Sequence, residues 1–303
     1  MNTDMLYSLQ RVERLAAASK LVRMVQMPVR YVYAIGFRIL RYRFGKRGVA
    51  KRTMTFFGVP MTVILPASTD IYLTGGKSHN SEIRLAKLLI RQLQAGAVFI
   101  DVGAHFGYFA LLAARLVGAQ GRVVAFEASE TTHAVLSANV AAMPVVQAHH
   151  LAVSNQQEMI SFYEFPVLYN EYNSLDVAQF IKEKWFQESK PKRIDVPAVT
   201  LDNFFASSTL VPDIIKIDVE GAELKVIQGA TELLRRTKPI VVLEYLSPER
   251  HNQDHQQAVT LLRELGYQAK SIATDGALVS CSDLNAYLYA QHVDSDNFAF
   301  VKE

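Results

Sequence analysis

The strongest constraint on what this chain can fold into begins at Val98, where short apolar runs alternate with stretches of helical spacing. Val98-Phe99-Ile100 reads as a buried strand, Tyr108 to Val117 as a helix, Arg122 to Phe126 as a strand, Glu130 to Ala141 as a helix and Val145 to Val153 as a strand. Asp213 to Ile217 and Ile240 to Glu244 are two more buried strands, with helices beginning near Ala222 and Asp254. Strands that are apolar throughout, rather than at every second residue, are buried on both faces, so the pattern predicts an α/β fold with a parallel sheet between helical layers. The last stretch, Tyr267 to Val301, holds strand-like pieces such as Phe298-Ala299-Phe300-Val301 that can close the sheet edge.

Ahead of this alternation, Val12, Leu15, Ala16, Leu21, Val22 and Val25 recur at roughly helical spacing until Pro28 stops or kinks the run, and a second run follows from Val29 to Phe44. Gly45-Lys46-Arg47-Gly48 breaks the pattern. Lys51 to Leu65 then has the β-branched and aromatic content of a hairpin turning at Gly58-Val59-Pro60, and a helix runs from Ser81 through Gln94 to a stop at Gly96. The expected organisation is a basic amphipathic helical extension over 1–52, a small β accessory segment over 53–80 and a catalytic domain over 81–303. Asp176 to Lys192 interrupts the alternation, and Val177, Phe180, Ile181 and Trp185 predict an inserted amphipathic helix there.

Charge is unevenly spread. Residues 1–52 carry twelve Lys and Arg against Asp4 and Glu13, a balance of +10; the whole chain carries +3, so the remaining 251 residues sum to −7. Such asymmetry marks contact with a polyanion or a membrane surface. The most apolar candidate for a span, Met27 to Phe44, is interrupted by Arg30, Arg38, Arg41 and Arg43, so it is not expected to cross a bilayer. The start, Met1-Asn2-Thr3-Asp4-Met5, lacks a basic region leading into an apolar run, and no cleaved signal peptide is expected. A single cysteine, Cys281, leaves no intramolecular disulfide framework and no cysteine-based zinc cluster, which fits a reducing compartment and a cytoplasmic location.

The strongest local motif is Asp101-Val102-Gly103-Ala104-His105-Phe106-Gly107-Tyr108, placed after a strand and opening a helix. Its G-x-x-x-G spacing differs from the G-x-G-x-x-G of a pyrophosphate cradle, and an acid at the strand tip would repel phosphate. Asp101 therefore points to a ligand with a cationic end. S-adenosylmethionine, with an ammonium, a sulfonium and no phosphate, has that character. Gly103 is read as letting backbone approach this ligand and Gly107 as letting the helix pack close to the strand. Twenty residues past Gly107 the next strand ends in Phe126-Glu127, where a carboxylate can hold a ribose diol. A third strand ends at Asp218, followed by Glu220 and Glu223, and a fourth at Glu244. Ligands of open α/β sheets bind beyond the carboxyl ends of the strands, so these acids are expected on one rim.

Phe99-Ile100-Asp101-Val102-Gly103-Ala104, Val124-Ala125-Phe126-Glu127, Thr200-Leu201-Asp202, Ile215-Lys216-Ile217-Asp218-Val219-Glu220-Gly221-Ala222-Glu223 with Gly229-Ala230, and Lys238-Pro239 leading to Glu244 occur in order over about residues 70–300. In these the chain resembles the FkbM family of class I S-adenosylmethionine-dependent methyltransferases. The resemblance implies a Rossmann-like seven-stranded sheet of order 3-2-1-4-5-7-6, mostly parallel with the seventh strand antiparallel. It also implies a hydroxyl acceptor, often on a sugar or polyketide-type product. Asp101, Gly103, Ala104, His105, Gly107, Tyr108, Glu127 and Ala128 would hold the cofactor. His105 stands where the family usually has asparagine, and Ala128 where it usually has proline. Asn173, from the segment Tyr169 to Leu175, and Glu244 are the expected acceptor contacts.

Methyl transfer to an aliphatic hydroxyl calls for a general base. Asp218 is the first choice, Glu220 the second and His251, on the loop after Glu244, the third. A divalent metal on Asp218, Glu220 and Glu244 is the competing device and is not favoured, because acids at strand tips commonly hold none. His251 and His255, four apart in polar surroundings, read as solvated. His149 and His150 point to opposite faces of a strand, so at most one reaches the rim.

Residues 21–44 mix apolar residues with arginine as an interfacial segment does. Contact with an anionic membrane leaflet at the cytoplasmic face, packing on the catalytic domain or a partner copy in a homo-oligomer, and RNA binding are the readings. The expected activity is O-methylation of a glycan, glycolipid or secondary metabolite. The alternative is an RNA-directed methyltransferase gripping phosphates with the basic segment, disfavoured because no Asn-Pro-Pro-Tyr or Asp-Pro-Pro-Tyr turn follows the strand ending at Asp218.

Overall fold

A computed structural model describes residues 2–174, 186–187, 189–250 and 252–302. The chain opens on helices Asn2–Ala17, Lys20–Gln26 and Pro28–Gly36, the last continuing into a π-helical turn, Phe37–Tyr42. The first helical run divides well before Pro28: Ser19 is extended, and its hydroxyl accepts the Val22 N–H as an N-cap. The division sorts the apolar residues. Met5, Leu9, Val12 and Leu15 are buried, whereas Leu21, Val22 and Val25 are exposed.

Strands β1 (Val49–Met54) and β2 (Pro60–Leu65) form the expected hairpin, with Gly58 in the turn at φ +79°. Helices Thr69–Thr74 and Asn80–Gln92 lead to β3 (Val98–Val102), β4 (Arg122–Glu127), β5 (Val146–His150), β6 (Ala152–Val153), β7 (Met159–Glu164), β8 (Lys192–Val199), β9 (Ile214–Ile217), β10 (Ile240–Leu246), β11 (Gln268–Ile272), β12 (Leu278–Ser280) and β13 (Ser295–Val301). The large sheet has the order β12-β11-β13-β10-β9-β3-β4-β5. β5, β4, β3, β9 and β10 run parallel, and β13 inserts antiparallel between β10 and β11.

This is the implied 3-2-1-4-5-7-6 sheet with one strand more. The count of seven is corrected to eight because the chain after β11 turns back at Gly276, φ +87°, and β12 pairs antiparallel with β11 at the edge. Alternate residues of each strand enter different cores. Phe99, Val123, Ala125 and Ile214 pack against helices Asn80–Gln92 and Tyr108–Val117, while Ile100, Val124, Ile215 and Val241 pack against Glu223–Gln228, Thr231–Thr237 and Gln253–Glu264. Met5, Leu9 and Val12 of the first helix belong to the former core. That helix is also tied down by Glu13, whose carboxylate lies 2.8 Å from Lys87 Nζ.

The expected strand Val145–Val153 is interrupted at Leu151: β5 stays in the large sheet, and β6 joins a three-stranded sheet of order β6-β8-β7. Here β7 and β8 pair antiparallel from Met159↔Pro197 to Glu164↔Lys192. The predicted inserted helix with Val177, Phe180, Ile181 and Trp185 lies outside the described residues, as does His251. Among the described residues, no helix is long and apolar enough to cross a membrane.

Candidate active site

The parallel register of β3 and β9 places Asp101 directly beside Lys216. Both are buried, at 0% and 2% exposure, with Lys216 Nζ 3.4 Å from Asp101 Oδ1 and 3.1 Å from Asp218 Oδ2. Burial pushes the Asp101 carboxyl up against the pull of Lys216. Burial also opposes charge on Asp218, but Lys216 overcomes it and holds this carboxyl below the ordinary range. Lys216 in turn is desolvated, yet Asp218 and Asp101 hold its ammonium above the usual value. The lysine is therefore a buried cation clamped between two acids. The signal for it in the sequence is a lysine inside the otherwise apolar strand Ile214-Ile215-Lys216-Ile217, which the motif argument does not use.

Beyond the carboxyl ends of β3, β4, β9 and β10 opens a cavity of about 600 Å³, lined by Gly103, Ala104, His105, Tyr108, Glu127, Ala128, Asn173, Asp218, Glu220 and Glu244. Asp101 and Gly107 do not line it. Glu127 accepts hydrogen bonds from the backbone N–H of His105 (2.9 Å) and of Ser129 (2.9 Å), while burial lifts its pKa to about 7. Glu127 thus fixes the loop that opens the helix Tyr108–Val117. Burial, with Asp218 next, lifts Glu244 to about 8.

Asp218, Glu220 and Glu244 each offer a carboxylate oxygen within 4.8 Å of the others. Glu220 reaches the rim in a left-handed conformation, φ +52°, steadied by Glu223, which accepts the N–H groups of Val219 (3.1 Å) and Gly221 (3.0 Å).

The two glycines are also demanded by contacts within the protein. A Cβ on Gly103 would meet the Asp218 carbonyl oxygen at 1.8 Å, so the residue lets two rim loops approach each other. A Cβ on Gly107 would meet Leu136 Cδ1 at 2.6 Å, so its room is needed by the neighbouring helix Glu130–Val140.

A sequence profile described as the methyltransferase FkbM domain matches residues 101–269, more than half of the chain. The chain belongs to the FkbM methyltransferase family. A curated relative, methyltransferase sdnD of Sordaria araneosa, is 28% identical over 172 residues, 47% of this chain and 64% of that protein. The chain thus matches less than two thirds of that relative's length. Among solved structures, methyltransferase FkbM of Methylobacillus flagellatus superposes with a TM-score of 0.42 at 14% identity, covering 77% of this chain and 52% of that one. An O-methyltransferase of Bacillus cereus in complex with SAH does so with a TM-score of 0.39 at 15% identity, covering 72% and 80%.

In this FkbM-family chain, His105 adopts φ +50°, in the left-handed region that histidine enters more readily than most side chains. Burial, reinforced by Lys77, pushes the His105 ring down to about 3, so it is neutral. Among the described residues, neither its buried Nε2 nor the buried Oδ1 of Asn170 has a hydrogen-bond partner, and both residues line the cavity. Asn173 lines it too, but its Oδ1 is engaged by the Phe165 N–H at 2.7 Å.

Tyr108 is packed in an aromatic cluster with Phe57 and Phe109. The expectation of a solvated His255 is overturned. The ring is 3% exposed, 3.3 Å from Glu223 Oε2, because it shares the inward helix face with Ala258, Val259 and Leu262. His149 and His150 do take opposite faces, His149 stacking on Phe126 and His150 reaching the Ala128 carbonyl at 3.0 Å, and neither lines the cavity.

The chain ahead of β3 does more than cover the core. Arg38, Asp70, Lys77 and Glu82 all line the cavity, with Lys77 paired to Glu82 and Asp70 accepting the Ser78 N–H at 3.0 Å. Sequence reasoning assigned none of them to the site.

Proposed function

We propose that this chain transfers a methyl group from S-adenosylmethionine to a hydroxyl acceptor, a sugar of a glycan or glycolipid or a secondary metabolite. The observation that carries the reading is the convergence of Glu127, Asp218, Glu220 and Glu244 on one cavity at the carboxyl ends of neighbouring strands. A wall so rich in acid suits a ligand that is cationic and free of phosphate. When bound, S-adenosylmethionine supplies an electrophilic methyl group on its sulfonium.

The residues divide the remaining work. Glu127, already oriented by two backbone N–H groups, receives the ribose diol against the loop of Gly103, Ala104 and His105. Asp218, kept ionised by Lys216, balances the positive charge of the donor. A carboxyl held that low is a weak base, so its expected role passes to Glu244, whose pKa of about 8 lies near the working pH. Glu244 takes the acceptor's proton as the oxygen attacks in line. Asn170 and Asn173 face the acceptor.

Calorimetric titration with S-adenosylhomocysteine tests the donor half of this reading. One site is expected, weakened about tenfold or more by Glu127→Gln through loss of charge-assisted hydrogen bonds. Wild-type protein that does not bind the nucleoside overturns it. Mass spectrometry of envelope glycans and metabolites from cells lacking the gene, searching for a product short of one methyl group, identifies the acceptor.

A further inference from the structure

We infer that residues 20–47 dock the protein on an anionic membrane surface, placing the entrance of the cavity at the headgroup layer. The segment is anchored on one side only. Ala34 and Tyr42 are buried, Arg30 donates to the Tyr72 carbonyl at 3.2 Å, and the Leu168 N–H donates to the Tyr42 hydroxyl at 3.0 Å.

The other side is apolar and open. Leu21, Val25, Val29, Val32, Leu40 and Phe44 are exposed by 70%, 75%, 81%, 63%, 71% and 80%. A patch of this kind on a water-facing helix marks a surface that meets something else.

The charge pattern selects the occupant. Between Lys20 and Arg47 there are eight lysines and arginines and no acidic residue, and none occurs from Arg14 through Thr69. Apolar side chains that enter the acyl boundary, flanked by long cations that extend to lipid phosphates, are the make-up of an interfacial helix. A second copy of this chain would meet the apolar residues but leave the cations without a matched anionic layer. The π-helical turn Phe37–Tyr42 carries Leu40 on the open surface and also Arg38, which lines the cavity. Leu168, held by Tyr42, lines it as well. Docking therefore brings the cavity to the bilayer.

The test is flotation of the full-length protein with vesicles of equal parts phosphatidylglycerol and phosphatidylcholine, and with phosphatidylcholine alone. Wild-type protein is expected to float with the anionic vesicles and to be released by added salt. Leu40→Asp/Phe44→Asp and Arg41→Glu/Arg43→Glu should each reduce partitioning roughly tenfold or more. S-adenosylhomocysteine affinity and the urea midpoint establish that each variant is folded; should the first pair fail this, Val29→Asp/Val32→Asp replaces it. Docking is overturned if wild-type protein stays at the bottom of the gradient, or if a folded variant floats as the wild type does. It is also overturned if light scattering shows a dimer that Leu40→Asp/Phe44→Asp dissociates. Flotation is read without the cofactor, so the methyl-transfer reading and the docking surface stand or fall separately.

Discussion

Replacing Lys216 by methionine removes the ammonium 3.4 Å from Asp101 Oδ1, and the cost follows from the burial of that carboxylate. Asp101 is 0% exposed, and neither of its oxygens accepts a hydrogen bond among the described residues. Breaking a buried ion pair from one side costs about 3–5 kcal/mol. A proton offers an escape, at about 1.4 kcal/mol for each pH unit above the ordinary aspartate value of about 3.9. The penalty therefore has a ceiling of about 5–6 kcal/mol at pH 8 and about 1.5 kcal/mol at pH 5. Without Lys216 the folded-state pKa of Asp101 lies above its unfolded value, so stability is lost as pH rises and regained in acid. Equilibrium urea unfolding of the wild type, Lys216→Met and Lys216→Met/Asp101→Asn at the two pH values reads this directly. The single variant should lose about 3–5 kcal/mol at pH 8 and far less at pH 5, and the double variant should recover most of the loss at pH 8. Equal losses at both pH values, with no recovery in the double variant, would refute the clamped-lysine argument and leave only lost packing.

Glu244→Gln should lower kcat by about 10²–10⁴-fold while leaving S-adenosylhomocysteine affinity intact, measured by turnover on the identified acceptor and by calorimetry. The wild-type rate should climb with pH through about 8 as Glu244 loses its proton, and the pH profile of the variant should be flat there. Gly103→Ala adds a Cβ 1.8 Å from the Asp218 carbonyl at φ +77°, so it should cost at least about 2 kcal/mol in urea unfolding and weaken nucleoside binding. EDTA treatment should leave turnover unchanged, and recovery only on adding magnesium would assign the Asp218, Glu220 and Glu244 oxygens to a metal.

Most of the sheet was legible because a doubly covered strand has few ways to be written: Phe99-Ile100, Val123-Val124 and Ile214-Ile215 are apolar on both faces and could be nothing else at that length. The rim acids were legible for a related reason, since each stands in the last residues of such a strand or within three residues of its end. β7 and β8 were not, because their polar and half-buried residues carry a weaker pattern and their pairing spans a segment of different character. Lys216 was hidden by company. It sits in a diagnostic run whose acids drew the chemical argument, and only the neighbouring strand shows that its ammonium is shared. The histidines mislead in the opposite way. His255 has polar neighbours in sequence, yet its helix places it inward, a fact fixed by residues three, four and seven positions later. The break at Ser19 turned one expected helix into two with different fates, which hydrophobic spacing alone cannot distinguish.

The cavity has two authors within one chain. Glu127, Asp218 and Glu244 come from the stretch that carries the family likeness, whereas Arg38, Asp70, Lys77 and Glu82 precede its first matched residue, Asp101. The wall contributed by the leading segment can change in evolution without disturbing a single residue of the likeness. Two proteins with the same family match could thus accept different molecules, and sorting such enzymes by acceptor requires comparing the chain ahead of the strand that ends in Asp101.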